Sequence, residues 1–171
     1  MSDALLTYLH DHLAGAEFGL ELLRDLREQH ATDATGALAS RLEIEIEQDR
    51  STLQQLAREL SGGANNTGKT AVGWLAEKAS RLKLRRSAAA GLGVFETLEA
   101  LALGILGKEA LWTALEAAAP GEPRLAGYDF SALAARARQQ HAQVETTRRE
   151  RAAIVFSATT QDSAALQKSS A

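Results

Sequence analysis

Seven side chains in this 171-residue chain are of types that could hold a metal ion together: Glu17, Glu45, Asp49, Glu96, Glu99, His141 and Glu145. Each lies on or beside a run of apolar residues recurring at three- and four-residue steps, the spacing that gathers side chains on one helix face. Glu17 is one turn from Leu13 and Leu20, with His10 and Glu21 at a similar angle. Asp49 takes a seam position itself, and Glu45 precedes it by one turn. Glu96 and Glu99 interrupt Leu92–Gly107, whose one other polar side chain is Thr97. Ala137, His141 and Val144 form the expected inner line of the last helix, with Glu145 one turn past His141. Four helices could thus bring acidic or imidazole groups to one level of a bundle. Carboxylate oxygen with imidazole nitrogen is a donor set suited to iron or manganese.

A second outcome needs no metal. A carboxylate buried without a partner is costly or takes up a proton. An inward-pointing Arg138, or Arg148 close to Glu145, could neutralise the same carboxylates. An interior ion-pair network with no cofactor is therefore the first expectation, and iron or manganese the alternative.

Other chemistries have less support. The chain contains no cysteine, which removes disulfides, thiolate zinc sites and cysteine nucleophiles together. No G-x-S-x-G nucleophile elbow occurs. Gly63–Thr70 (GANNTGKT) fits G-x-x-x-x-G-K-[ST] letter for letter, but a P-loop follows a buried strand. Here the preceding LQQLARELS reads as helix, so the stretch is expected to be a linker. One basic run holds Lys78, Arg81, Lys83, Arg85 and Arg86, and another Arg148, Arg149 and Arg151. Neither alternates with aromatic stacking residues, and the formal charge of −3 gives no general pull toward nucleic acid. Both are expected to be solvated helix faces, with no nucleic-acid partner.

The elements that must position these groups are helices. The two prolines, Pro120 and Pro123, sit close together, and the runs on either side are rich in Ala, Leu, Glu, Arg and Gln. A first helix is expected from Asp3 to about Gln29, with Leu6, Leu9, Leu13, Ala16, Leu20 and Leu23 as its seam. Asp33 or Thr35 would cap a second helix reaching about Leu60, along Leu38, Leu42, Ile46, Asp49, Leu53, Leu56 and Leu60. The strand-like alternation of Glu43–Glu47 is overridden by the helical period on both sides. After Ser61–Gly68, Lys69–Arg86 is expected to form a short crossover helix. The apolar helix Gly91–Ala118 follows, then a turn-rich loop to Phe130 and a last helix capped by Ser131 and ending near Ser157. Residues 1–157 form the expected bundle, and 158–171 an expected disordered tail. Short links join the first two helices and the last two, while the middle connection is long enough to return along the bundle. The predicted class is all-α: a four-helix bundle of two antiparallel hairpins joined by a lengthwise crossover.

The N-terminus lacks the basic and apolar regions of a secretory signal. Ala88–Gly107 is long enough to cross a bilayer, but Glu96 and Glu99 would lie near its middle. No membrane partner and a cytoplasmic location are expected.

This pattern resembles the ferritin-like superfamily over about Asp3–Ser157, most of all small bacterial ferritin-like proteins of unassigned function. Diiron members supply Glu, then Glu-x-x-His, then Glu, then Glu-x-x-His from successive helices. The resemblance implies Glu17 as the first ligand and Glu96 or Glu99 as the third-helix ligand. The second motif reads Glu45-Ile46-Glu47-Gln48, with Asp49 a possible substitute, and the fourth reads Arg138-Gln139-Gln140-His141. Two of six ligands are absent, so the implied function is non-catalytic, stress-associated or partner-binding. A carboxylate-bridged oxidase or peroxide-handling protein is the alternative. Gly91, Gly93, Gly104 and Gly107 suggest close helix approach, and apolar surface around Val94, Leu98, Leu101, Ile105 and Trp112 suggests a homodimer.

Overall fold

Asp33 sets the entry to the second helix: its carboxylate accepts from the amides of Thr35 and Gly36, two donors that a helix start leaves without carbonyl partners. Gly36 packs so tightly that a Cβ there would overlap the His30 carbonyl. In the computed structural model, which describes residues 4–62 and 91–168 with side chains to 157, four helices follow this kind of local logic. They are α1 (Ala4–Gln29), α2 (Ala34–Leu60), α3 (Leu92–Ala118) and α4 (Phe130–Lys168). Two single 3-10 turns, Ala119–Gly121 and Pro123–Leu125, join α3 to α4 at the two prolines. Among the described residues there is no strand, and none of the helices is long and apolar enough to cross a membrane. The expected crossover helix, the GANNTGKT stretch and the first basic run lie outside the described residues.

Ion pairs and ring contacts fix the helix directions. Arg24 and Arg27 pair with Glu43, whereas Glu17, earlier in α1, meets Arg50, later in α2. These two helices are antiparallel. Trp112 lies against Phe130, Arg138 pairs with Glu109, and Phe95 contacts Phe156, so α3 and α4 are antiparallel too. Tyr128 reaches Glu59, Arg41 reaches Gln143 and Arg151 reaches Asp33, which makes α2 and α4 antiparallel. It follows that α2 and α3 run in the same direction, and that Leu60 and Leu92 lie at opposite ends of the bundle.

The core is mostly leucine. All seven expected seam positions of α2, Asp49 included, are buried. On α1 the buried set is Leu9, Leu20, Leu22, Leu23 and Leu26, while Leu6, Leu13 and Ala16 are half-buried. Burying a leucine fully is worth about 1.5–3 kcal/mol, so these positions dominate the packing energy.

Several expectations are corrected. Leu98, Leu101, Ile105 and Trp112 belong to the core and form no outer surface. The large apolar side chains that α3 does expose are Leu103 and Leu106. Around Gly104 and Gly107 an added Cβ would meet nothing within 4 Å among the described residues, so neither marks a close contact with α1, α2 or α4. Gly91 does have a local reason: its φ is 93°, and a Cβ would lie 3.1 Å from Val155. Asp129, and not Ser131, caps α4, accepting from the amide of Ala132 at 2.9 Å. The helix then continues past Ser157 to Lys168, through a stretch with no glycine or proline to stop it.

Candidate functional site

Asp49 is 2% exposed, and three helices meet at its carboxylate. Lys108 of α3 places Nζ 2.5 Å from Oδ2. Arg136 of α4 donates through Nη2 to Oδ1. Gln140, one turn after Arg136 and fully buried, donates through Nε2 to Glu45 at 3.0 Å and to Asp49 at 3.4 Å. Its Oε1 accepts from Lys108. Spacing explains the arrangement: Glu45 and Asp49 share one face of α2, and Arg136 and Gln140 share one face of the antiparallel α4.

The charges balance, with Asp49 and Glu45 against Lys108 and Arg136. Burial pushes the Lys108 ammonium below its ordinary range; the charge and hydrogen bond of Asp49 oppose that shift, and Arg136 adds to it. Chemically this is a hydrogen-bonded network in which each oxygen of Asp49 is engaged by a cation.

The seven candidate ligands do not converge. Glu45 and Asp49 are in the network. Glu17 lies at the α1–α2 edge, 3.4 Å from Arg50. Glu96 is half-buried near the start of α3, and Glu99 is exposed, with its charge acting on Arg148. His141 is half-buried beside Gln140 in sequence. Glu145 is held by Arg148 at 2.7 Å and Arg149 at 2.9 Å, and those hydrogen bonds pull its pKa down to about 2. Among the described residues no three His, Asp or Glu side chains form a group able to hold a metal ion. Arg138 is also corrected: it points outward to Glu109 at 3.0 Å, and Arg136 enters the centre instead.

The signal for Lys108 lies in the sequence. It continues the seam Leu98, Leu101, Ile105, Trp112, Leu115 at the same three- and four-residue steps. Gln140 and His141 are both allowed continuations from Ala137 to Val144, and packing selects Gln140.

Beside the network, α1, α2 and α3 enclose a cleft of about 100 Å³ whose walls include Gly15, Gly19, Leu53, Gly104, Lys108 and Trp112. Trp112 is 1% exposed, and among the described residues its indole Nε1 has no hydrogen-bond partner; Arg136 Nε is likewise without one there.

The chain matches no family model, no curated protein and no solved structure.

Proposed function

We propose that this is a non-catalytic ferritin-like helical-bundle protein that acts by binding, as a homodimer. The observation that carries the reading is the double occupation of Asp49 by Lys108 and Arg136. With both carboxylate oxygens engaged by cations, the bundle centre is occupied by its own side chains. The shared direction of α2 and α3 supports the ferritin-like assignment, because that superfamily joins two hairpins by a lengthwise crossover. Self-association is supported by the outer face of α3, where Leu103 is 65% and Leu106 42% exposed, with Ala110 and Ala114 one and two turns beyond Leu106.

Two measurements test this. Anaerobic ferrous titration followed by oxygen should show neither stoichiometric binding nor turnover; either would reject the non-catalytic assignment. Solution mass at micromolar concentration should be that of a dimer, and Leu103→Glu combined with Leu106→Glu should give monomer. A monomeric wild-type chain would reject the homodimer.

A further inference from the structure

The shared direction of α2 and α3 constrains the chain that joins them. Each of these helices has 27 residues, which at 1.5 Å per residue is about 40 Å. Leu60 and Leu92 lie at opposite ends, so segment 63–90 must run the length of the bundle along one of its faces.

Side chains already lie across three of the four grooves between neighbouring helices. Glu43 meets Arg24 and Arg27 between α1 and α2. Tyr128–Glu59, Arg136–Asp49 and Arg151–Asp33 lie between α2 and α4, and Arg138–Glu109 between α3 and α4. The fourth groove, between α1 and α3, holds the cleft. Gly15 and Gly19 of α1 and Gly104 of α3 line it, and added Cβ atoms there would meet nothing within 4 Å among the described residues. A helical glycine leaves a hole that a large side chain of a crossing segment can fill.

The segment carries such side chains. Val72, Leu75, Ala79 and Leu82 recur at three- and four-residue steps, one apolar face at helical spacing. Its second half is basic, with Lys78, Arg81, Lys83, Arg85 and Arg86. The chain reaches Gly91 at the end of the bundle where α1 finishes and α3 begins. Asp25 of α1 and Glu96 of α3 belong to that end, both half-buried, so cations arrive where two carboxylates are.

We infer that segment 63–90 docks in the α1–α3 groove and runs antiparallel to α3. Leu75 and Leu82 seat at the holes left by Gly15, Gly19 and Gly104, with the basic half beside Asp25 and Glu96. Helical rise sets the register. Gly104 is about 20 Å along α3 from Gly91, and a helix returning from Gly91 over that distance reaches Lys78, between Leu75 and Leu82.

The chain contains no cysteine, so introduced cysteine pairs test the docking in the full chain. Gly104→Cys is combined in turn with Leu75→Cys and with Leu82→Cys. Ile44→Cys, on α2 where Ile44 is 64% exposed, replaces Gly104→Cys for comparison. At least one Gly104 pair should close a disulfide within the monomer roughly tenfold or more faster than either Ile44 pair, because docking raises the effective concentration. Mass under non-reducing conditions reads the outcome. No disulfide at Gly104, or equal rates at Gly104 and Ile44, overturns the inference. Disulfides formed mainly between chains also overturn it, since a second copy would then occupy the groove. Leu75→Asp combined with Leu82→Asp gives a readout that needs no oxidation: the urea midpoint should fall. An unchanged midpoint would show that these leucines are not buried in the groove.

Discussion

Lys108 and Asp49 meet across the bundle from two helices that run in the same direction, Nζ lying 2.5 Å from Oδ2. The pair is asymmetric in its support. Asp49 also has Arg136 and Gln140, whereas without Asp49 the hydrogen-bond partner left to Lys108 among the described residues is Gln140, with Glu45 acting through its charge. Asp49→Ala should therefore strand two cations and cost about 3–5 kcal/mol. Lys108→Met leaves Asp49 paired with Arg136 and should cost about 1–3 kcal/mol. Urea unfolding midpoints measure both, and equal losses would contradict the asymmetry.

Arg136 and Arg138 are two residues apart on α4 but belong to different environments. Arg138 forms an exposed pair with Glu109, of a kind worth about 0–1 kcal/mol. Arg136 reaches a carboxylate that is 3% exposed. Arg136→Ala should destabilise the fold several times more than Arg138→Ala, and the reverse order in chemical denaturation would place the wrong arginine in the centre.

That contrast shows what periodicity could reach. On α2 one unbroken run of three- and four-residue steps leads from Leu38 to Leu60 through Asp49, so the burial of Asp49 is legible in the sequence. On α4 the steps from Ala137 to Val144 can be divided in two ways, and the choice between Gln140 and His141 depends on what Glu45 and Asp49 present from the facing helix. Arg136 follows from that choice, one turn before Gln140. Lys108 stands on a clear seam, but the long apolar stem of a lysine can carry its ammonium from a seam position out to solvent as readily as to a buried carboxylate. Gly104 and Gly107 illustrate a different limit. A helical glycine permits close contact or leaves a gap, and the residue type is the same in both cases.

Asp33 links the α1–α2 turn to acid stability. Burial works against its ionisation, but hydrogen bonds from His30 and from the amides of Gly36 and Thr35 outweigh that and hold its pKa well below the unfolded value of 3.8. A carboxylate depressed by folding stabilises above its unfolded pKa, and the contribution fades as pH falls toward the folded pKa. Asp33→Ala should cost about 0.5–2 kcal/mol at neutral pH. Asp33→Asn, which retains a capping oxygen, should lose less and should flatten the decline in stability below pH ~4. An acid limb identical to wild type in Asp33→Asn would remove Asp33 from the account of acid unfolding.

The last prediction concerns whether the central network adds net stability. Each member is costly to remove alone because its partners stay behind, buried and unsatisfied. Removing the members together avoids that penalty. In the quadruple variant Asp49→Leu, Lys108→Met, Arg136→Leu, Gln140→Leu, the remaining charge is Glu45, which is half-buried and can turn toward water. Replacing a buried ion cluster by apolar side chains of similar volume is often neutral or stabilising by about 1–4 kcal/mol. The quadruple variant should therefore unfold at or above the wild-type urea midpoint, although Asp49→Ala alone unfolds well below it. If the quadruple variant is as unstable as Asp49→Ala, the network adds to stability through its own bonds. If it is stable, Asp49, Lys108, Arg136 and Gln140 act by fixing how α2, α3 and α4 meet and not through the net strength of their bonds.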